Sequence, residues 1–137
     1  MTAVILMVCS AGIVFALGTI HLVFTFFGHK LHPRDHALQI RMAEVAPVIT
    51  RETTMWKCWI GFNASHSMAA MLFGLIYAYL ASVHGEILFQ STFLLAIGLS
   101  TLIGFAVLAR LYWFRSPLFG VCASLLCFVA SVVVFHR

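Results

Sequence analysis

Four long apolar runs, separated by two short basic stretches, dominate this chain of 137 residues. Seven of its eight Lys and Arg residues lie between Lys30 and Lys57 or between Arg110 and Arg115. A membrane-crossing helix needs about 20 apolar residues, because the hydrocarbon core of a bilayer is about 30 Å thick. The apolar runs meet that length, so the sequence predicts four transmembrane helices.

Charged residues make up only 9% of the chain, whereas 63% of its residues are hydrophobic. Water-soluble domains are about one quarter charged, so this composition excludes an ordinary soluble domain. The net charge of +4 does not indicate a nucleic-acid partner, because the basic residues adjoin apolar runs instead of covering a solvated face. The partner that the composition predicts is the lipid bilayer itself.

The predicted fold is all-α, a polytopic membrane protein in which a single domain forms an antiparallel bundle of four transmembrane helices. We expect these helices over residues 3–27, 54–83, 88–110 and 117–135. Residues 35–46 alternate apolar and polar side chains in a helical pattern, which predicts a short interfacial helix between helices one and two. Asp35 is placed to cap the start of this helix, and Pro47 to end it.

The basic stretches also predict the orientation of the chain. Loops rich in Lys and Arg stay on the cytoplasmic side of a membrane. The connection around residues 30–57 and the turn at residues 110–115 should therefore both be cytoplasmic. With four crossings, both chain termini then lie outside the cytoplasm.

Helix two carries a stripe of polar and aromatic side chains. Glu52, Trp56, Trp59, Asn63 and His66 follow one another at spacings of four, three, four and three residues, which places them on one helix face. Polar side chains inside a membrane are costly unless they meet a partner, so they face the interior of the bundle and are candidates for a functional site.

Depth along the helices suggests which residues meet this stripe. At about 1.5 Å per residue, His21 of helix one lies at the level of Asn63 and His66, and Ser124 of helix four lies near it. We therefore predict an intramembrane polar pocket that binds an amphiphilic ligand. Its predicted lining residues are His21, Thr25, Trp59, Asn63 and His66, with Glu52 and Arg110 paired at its cytoplasmic mouth.

Two other interpretations of these residues remain open. His21, Asn63 and His66 can simply form hydrogen bonds between helices, which contribute about 0.6 kcal/mol on average in membranes. Alternatively, His21 and His66 can serve as the two axial ligands of a haem b group, since four-helix bundles are known scaffolds for haem.

A second histidine cluster follows helix one. His29, His32 and His36 have the pattern H-x-x-H-x-x-x-H, and imidazoles at such spacing can bind zinc, copper or iron. Lys30 and Arg34 lie inside the cluster and would repel a cation. A solvated interfacial loop is the favoured interpretation, and no metal site is predicted.

Several segments resemble a family of small, uncharacterised bacterial four-helix integral membrane proteins. The resemblance covers most of the chain and includes G-T-I-H-L at 18–22, residues 42–56 ending in T-T-M-W, W-I-G-F-N-A-S-H-S at 59–67 and L-Y-W-F at 111–114. It implies a bacterial inner-membrane protein and implies no particular reaction.

The leading hypothesis is thus a non-catalytic binding or accessory protein of the inner membrane that holds a lipid, a quinone or haem. It could equally be a small subunit of a larger membrane complex or a homo-oligomer. The alternative is a small membrane enzyme for a lipid-like substrate, with His66 as the acid or base and Asn63 orienting it. The chain has no nucleotide-binding, hydrolase or dinucleotide-binding motif.

Overall fold

The computed structural model describes residues 1–137 and is all-helical. Its six helices are α1 (Thr2–Phe26), α2 (His36–Glu44), α3 (Met55–Val83), α4 (Gly85–Gln90), α5 (Thr92–Tyr112) and α6 (Arg115–Phe135). α1, α3, α5 and α6 are long and apolar enough to cross a membrane. The predicted class, a polytopic all-α protein with four transmembrane helices and a short helix between the first two, is confirmed.

Length and composition explain why these four helices suit a bilayer. They contain 25, 29, 21 and 21 residues, which corresponds to lengths from about 31 Å to about 43 Å at the rise of an α-helix. Each therefore exceeds the hydrocarbon thickness of about 30 Å. Many large apolar side chains lie on the outer surface of the helices, such as Phe62, Leu72 and Leu126, where lipid would cover them.

Contacts group the residues into two units, one formed by residues 1–17 and 70–137 and the other by residues 18–69. In the first unit, the N-terminal half of α1 lies against α3 at Gly74, where an added Cβ atom would come within 2.7 Å of the Ala11 carbonyl oxygen. The hydroxyl of Tyr77 in α3 donates a hydrogen bond to the Leu94 carbonyl of α5, at 2.7 Å. α5 in turn packs at Gly98 against Phe128 of α6.

Serine hydroxyls join α6 back to α1 and complete the antiparallel arrangement. Ser10 and Ser124 lie 2.9 Å apart through their Oγ atoms, and each hydroxyl is also within 2.9 Å of the other residue's carbonyl oxygen. Ser131 donates to the Ala3 carbonyl at 2.7 Å. All three serines are fully buried, so their hydroxyl groups are satisfied away from lipid.

The segment after α3 differs from its prediction. We expected a tight turn followed by one helix from residue 88, but α4 ends at Gln90 and α5 begins only at Thr92. Ser91 separates them because its extended backbone breaks the helix and its side chain accepts a hydrogen bond from the Leu94 amide. Leu88 and Phe89 of α4 are almost fully buried, so this short helix packs into the core of the first unit.

The connection between α5 and α6 is also shorter than predicted. Only Trp113 and Phe114 lie between the two helices, whereas the sequence suggested a turn over residues 110–115. Arg110 therefore belongs to the last turn of α5, and Arg115 is the first residue of α6. Pro117 is still in the first turn of α6, where a missing backbone N–H costs nothing.

The second unit contains the C-terminal part of α1, the α2 region and the start of α3. Asp35 caps α2 as predicted, since its side chain accepts a hydrogen bond from the Ala37 amide at 2.9 Å. α2 ends at Glu44, ahead of Pro47. The Met55 amide donates to the Val45 carbonyl at 2.8 Å, which closes the loop between α2 and α3.

Candidate functional site

The predicted polar residues of α1 and α3 meet in the second unit. The Nε2 atom of His21 lies 2.9 Å from Oδ1 of Asn63, and the rings of His21 and His66 are 5.7 Å apart in an edge-to-face arrangement. Asn63 is only 6% exposed. The sequence-based expectation that these three side chains lie within about 10 Å of one another, the scale of helix packing, agrees with this geometry.

Hydrogen bonds determine the orientation of the Asn63 amide. Its Nδ2 atom donates to the Trp59 carbonyl, one helical turn earlier, at 2.7 Å. The amide oxygen must then face His21 and act as the acceptor. Because an amide oxygen cannot donate, the Nε2 atom of His21 carries the hydrogen that it shares with Asn63.

Buried hydroxyl groups complete this cluster from both helices. Thr25 donates to the His21 carbonyl at 2.8 Å, and Ser67 donates to the Asn63 carbonyl at the same distance. Phe62 stacks on the ring of His66. The polar groups of the cluster thus form hydrogen bonds with one another and with the backbone of the two helices. The main effect of the cluster is to hold α1 against α3.

The same bonds bear on the alternative roles of these residues. An acid–base site in which Asn63 orients His66 needs the amide to bond to His66, but both ends of the amide have other partners. Haem ligation through Nε2 of His21 would require the loss of its bond to Asn63. Neither role is compatible with the hydrogen bonds as they stand.

Trp59 and Glu52 are two other residues predicted to line the pocket, and both side chains are exposed. The indole Nε1 atom of Trp59 donates to the Leu31 carbonyl at 3.1 Å, so this side chain fastens the loop after α1. Glu52 is exposed and precedes α3, and its own amide donates to Thr50 Oγ1. Glu52 is therefore not part of the helical stripe that the sequence suggested.

The ion pair that the structure shows joins Glu44 to Arg41, with the Oε2 atom of Glu44 3.4 Å from the arginine. Glu52 and Arg110 belong to different units, so their predicted pairing stays a prediction. Ser124, which lies near the depth of the predicted pocket, bonds to Ser10.

Arg110 lines a groove between α5 and α6 in the first unit. The groove has a volume of about 500 Å³, and Arg110 is its one charged side chain. Apolar side chains and one cysteine form most of its walls: Ile103, Val107 and Leu111 from α5, and Leu118, Cys122 and Leu125 from α6. The groove is thus open and almost entirely apolar, and Arg110 contributes to its wall through the aliphatic part of its side chain.

A second pocket of about 450 Å³ adjoins the groove, because Arg110 and Leu118 line both. Trp113 and Arg115 also line this second pocket. The apolar groove therefore adjoins a more polar pocket whose lining residues include Arg110, Trp113 and Arg115. Sequence reasoning predicted Arg110 as a site residue but not Arg115. The pattern that could have indicated Arg115 is a pair of arginines on either side of aromatic residues where two helices meet.

The histidine loop brings only two of its three members together. Nδ1 of His29 lies 3.5 Å from Nδ1 of His32, whereas His36 is the exposed first residue of α2. No group of three or more His, Cys, Asp or Glu residues is arranged to hold a metal ion.

Known proteins offer no further guide to these sites. A comparison with protein families, curated proteins and solved structures finds no match for this chain. The resemblance to bacterial four-helix membrane proteins therefore stays a prediction, and the geometry of the cavities and clusters is the basis for assigning a function.

Proposed function

We propose that this protein is a small bacterial inner-membrane binding protein that holds an anionic phospholipid between α5 and α6. One acyl chain lies in the apolar groove, and the phosphate group lies between Arg110 and Arg115. The observation that supports this proposal most strongly is the position of Arg110 in the lining of both the apolar groove and the adjoining pocket.

The head group must provide the selectivity of such a site. Within a bilayer, a lipid tail gains little by leaving other tails for an apolar groove, because the two surroundings are equally apolar. Guanidinium groups, in contrast, form strong charge-assisted hydrogen bonds with phosphate oxygens. This reasoning favours an anionic phospholipid over a neutral quinone.

The polar cluster has a structural role in this proposal. The bond between His21 and Asn63 fixes the helices that carry it, and the ligand lies elsewhere. The site expected from sequence around His21, Asn63 and His66 is thus replaced by the groove at Arg110, while amphiphile binding remains the proposed activity.

Lipid binding can be measured by native mass spectrometry of the purified protein with phosphatidylglycerol and phosphatidylcholine in equal amounts. We expect phosphatidylglycerol to be retained preferentially. Arg110→Gln and Arg115→Gln should each weaken its binding by about tenfold or more, because a hydrogen bond to a charged group contributes about 1.5–3 kcal/mol. Arg51→Gln is the matched control and should bind as the unmodified protein does.

The proposal would be overturned by equal retention of the two lipids, or by equal losses in Arg51→Gln and Arg110→Gln. Cys122→Phe provides a second variant, since it fills the groove without removing a charge, and it should also reduce retention. An absorption spectrum with a Soret band would indicate haem instead, and a copurifying protein would indicate a subunit of a larger complex.

The proposed orientation places both termini outside the cytoplasm and the arginines of the groove on the cytoplasmic side. In a variant without the four native cysteines, expressed in bacterial cells, Arg34→Cys should react with an impermeant maleimide only after the membrane is opened. Gly85→Cys should react in intact cells. The reverse labelling pattern would refute this orientation.

A further inference from the structure

His29 and His32 lie side by side in the loop between α1 and α2. Their Nδ1 atoms are 3.5 Å apart, and their rings meet edge to face with centroids 4.9 Å apart. Between two neutral imidazoles, only one of the facing nitrogen atoms can carry a hydrogen toward the other. The pair therefore directs at least one nitrogen lone pair into the space between the rings.

The separation of these nitrogen atoms matches the spacing of two ligands on one metal ion. Zn–N bonds of about 2.05 Å in tetrahedral geometry place the two nitrogen atoms about 3.4 Å apart. We propose that His29 and His32 bind a divalent late transition-metal ion through their Nδ1 atoms. The ion lies between the two Nδ1 atoms, and the ring that carried its hydrogen on Nδ1 takes up the tautomer with the hydrogen on Nε2, by exchange with water. This site is separate from the proposed lipid groove.

Contacts around the loop hold the backbone of the pair and the ring of His32 in place before a metal ion arrives. The His32 amide donates to the His29 carbonyl at 3.1 Å, which makes a tight turn. The ring of His32 meets that of Trp56 edge to face, with centroids 4.9 Å apart. Gly28 begins the turn with φ of +85°, a conformation that other residues rarely adopt.

Two basic residues, Lys30 and Arg34, lie within this histidine cluster. The Nζ atom of Lys30 lies 4.1 Å from the centroid of the Phe24 ring, so a cation–π contact holds this ammonium group. The Asp35 carboxylate accepts from the Ala37 amide. Arg34 is the remaining basic side chain inside the cluster.

The ligand set predicts which ions bind and how firmly. Two imidazoles without a third protein ligand leave coordination positions to water, so the ion exchanges readily. Among divalent ions, nitrogen ligands bind Cu²⁺ most tightly, ahead of Ni²⁺ and Zn²⁺.

The test is a Cu²⁺ titration of the full chain in detergent after treatment with a chelator. We expect quenching of tryptophan fluorescence, because Trp56 contacts His32, and an electron paramagnetic resonance spectrum with coupling to imidazole nitrogen. His29→Gln and His32→Gln should each raise the apparent dissociation constant by tenfold or more. His36→Gln and His84→Gln are the matched controls and should leave it unchanged.

His29 is exposed and His32 is half-buried, and circular dichroism verifies that their glutamine variants retain the fold. An unchanged affinity in the His29→Gln/His32→Gln double variant would overturn the proposal, as would a spectrum without nitrogen coupling. The same histidine variants should retain phosphatidylglycerol as the unmodified protein does. A loss of metal binding without a loss of lipid binding distinguishes this proposal from the lipid site.

Discussion

Replacing Gly74 with alanine should destabilise the protein by about 1–3 kcal/mol, the usual cost of overpacking a well-packed contact. The added Cβ atom would lie 2.7 Å from both the Ala11 carbonyl oxygen and the Phe15 Cβ atom, and 3.0 Å from the Phe15 amide nitrogen. Two of these atoms belong to the backbone of α1. Relief of the overlap therefore requires α1 and α3 to separate, and a side-chain rotation cannot provide it.

Gly104→Ala is the matched control for this prediction. Gly104 is also in the interior of a transmembrane helix, but a Cβ atom there meets nothing within 4 Å. Alanine favours a helix over glycine by about 1 kcal/mol, so the control should be slightly more stable than the unmodified protein. Thermal unfolding in detergent measures both variants, and equal melting temperatures would contradict the close contact of α1 with α3.

Asn63→Leu should also lower the melting temperature, although leucine has nearly the same size. It leaves the Nε2 hydrogen of His21 and the Trp59 carbonyl without their Asn63 partner. An unsatisfied buried polar group costs about 1–3 kcal/mol in proteins generally. Hydrogen bonds inside membranes couple more weakly, by up to about 1.7 kcal/mol, so we expect a loss toward the lower end of this range.

A double-mutant cycle isolates the contact between the two side chains. If His21 and Asn63 stabilise the protein through each other, Asn63→Leu should cost less in a His21→Leu background than in the unmodified protein. Thr101→Ala is a suitable control, because Thr101 is bonded to the Ile97 carbonyl of its own helix. Strictly additive losses would show that the two residues act independently.

The sequence predicted the long helices well because a membrane requires apolar runs of a definite length. It failed at Ser91, where α4 gives way to α5. A membrane helix is apolar on every side. The alternation of apolar and polar residues that helps to locate helices in soluble proteins is therefore weak in this chain. A serine that caps a new helix then looks the same as a serine within a continuous one.

The candidate sites were predictable to different degrees. His21 and Asn63 stood out because polar residues of this kind are rare in membranes and their depths agree. Depth fixes only the level of a residue along the bundle, so it could not predict that Ser124 bonds to Ser10. The groove beside Arg110 depends on the shape left between α5 and α6, and a residue pattern contains no information about such a space.

The serine contacts between α1 and α6 also limit how far these helices can slide along each other. Ser124 and Ser131 are seven residues apart, so a slip of that length in one direction would place Ser10 opposite Ser131 and would leave Ser124 facing Leu17. The opposite slip would place Ser10 against Pro117 and would also separate Ser10 from Ser124. Of these three alignments, only the observed one pairs Ser10 with Ser124 and brings Ser131 to the Ala3 carbonyl, so the serines favour one register of α6 along α1.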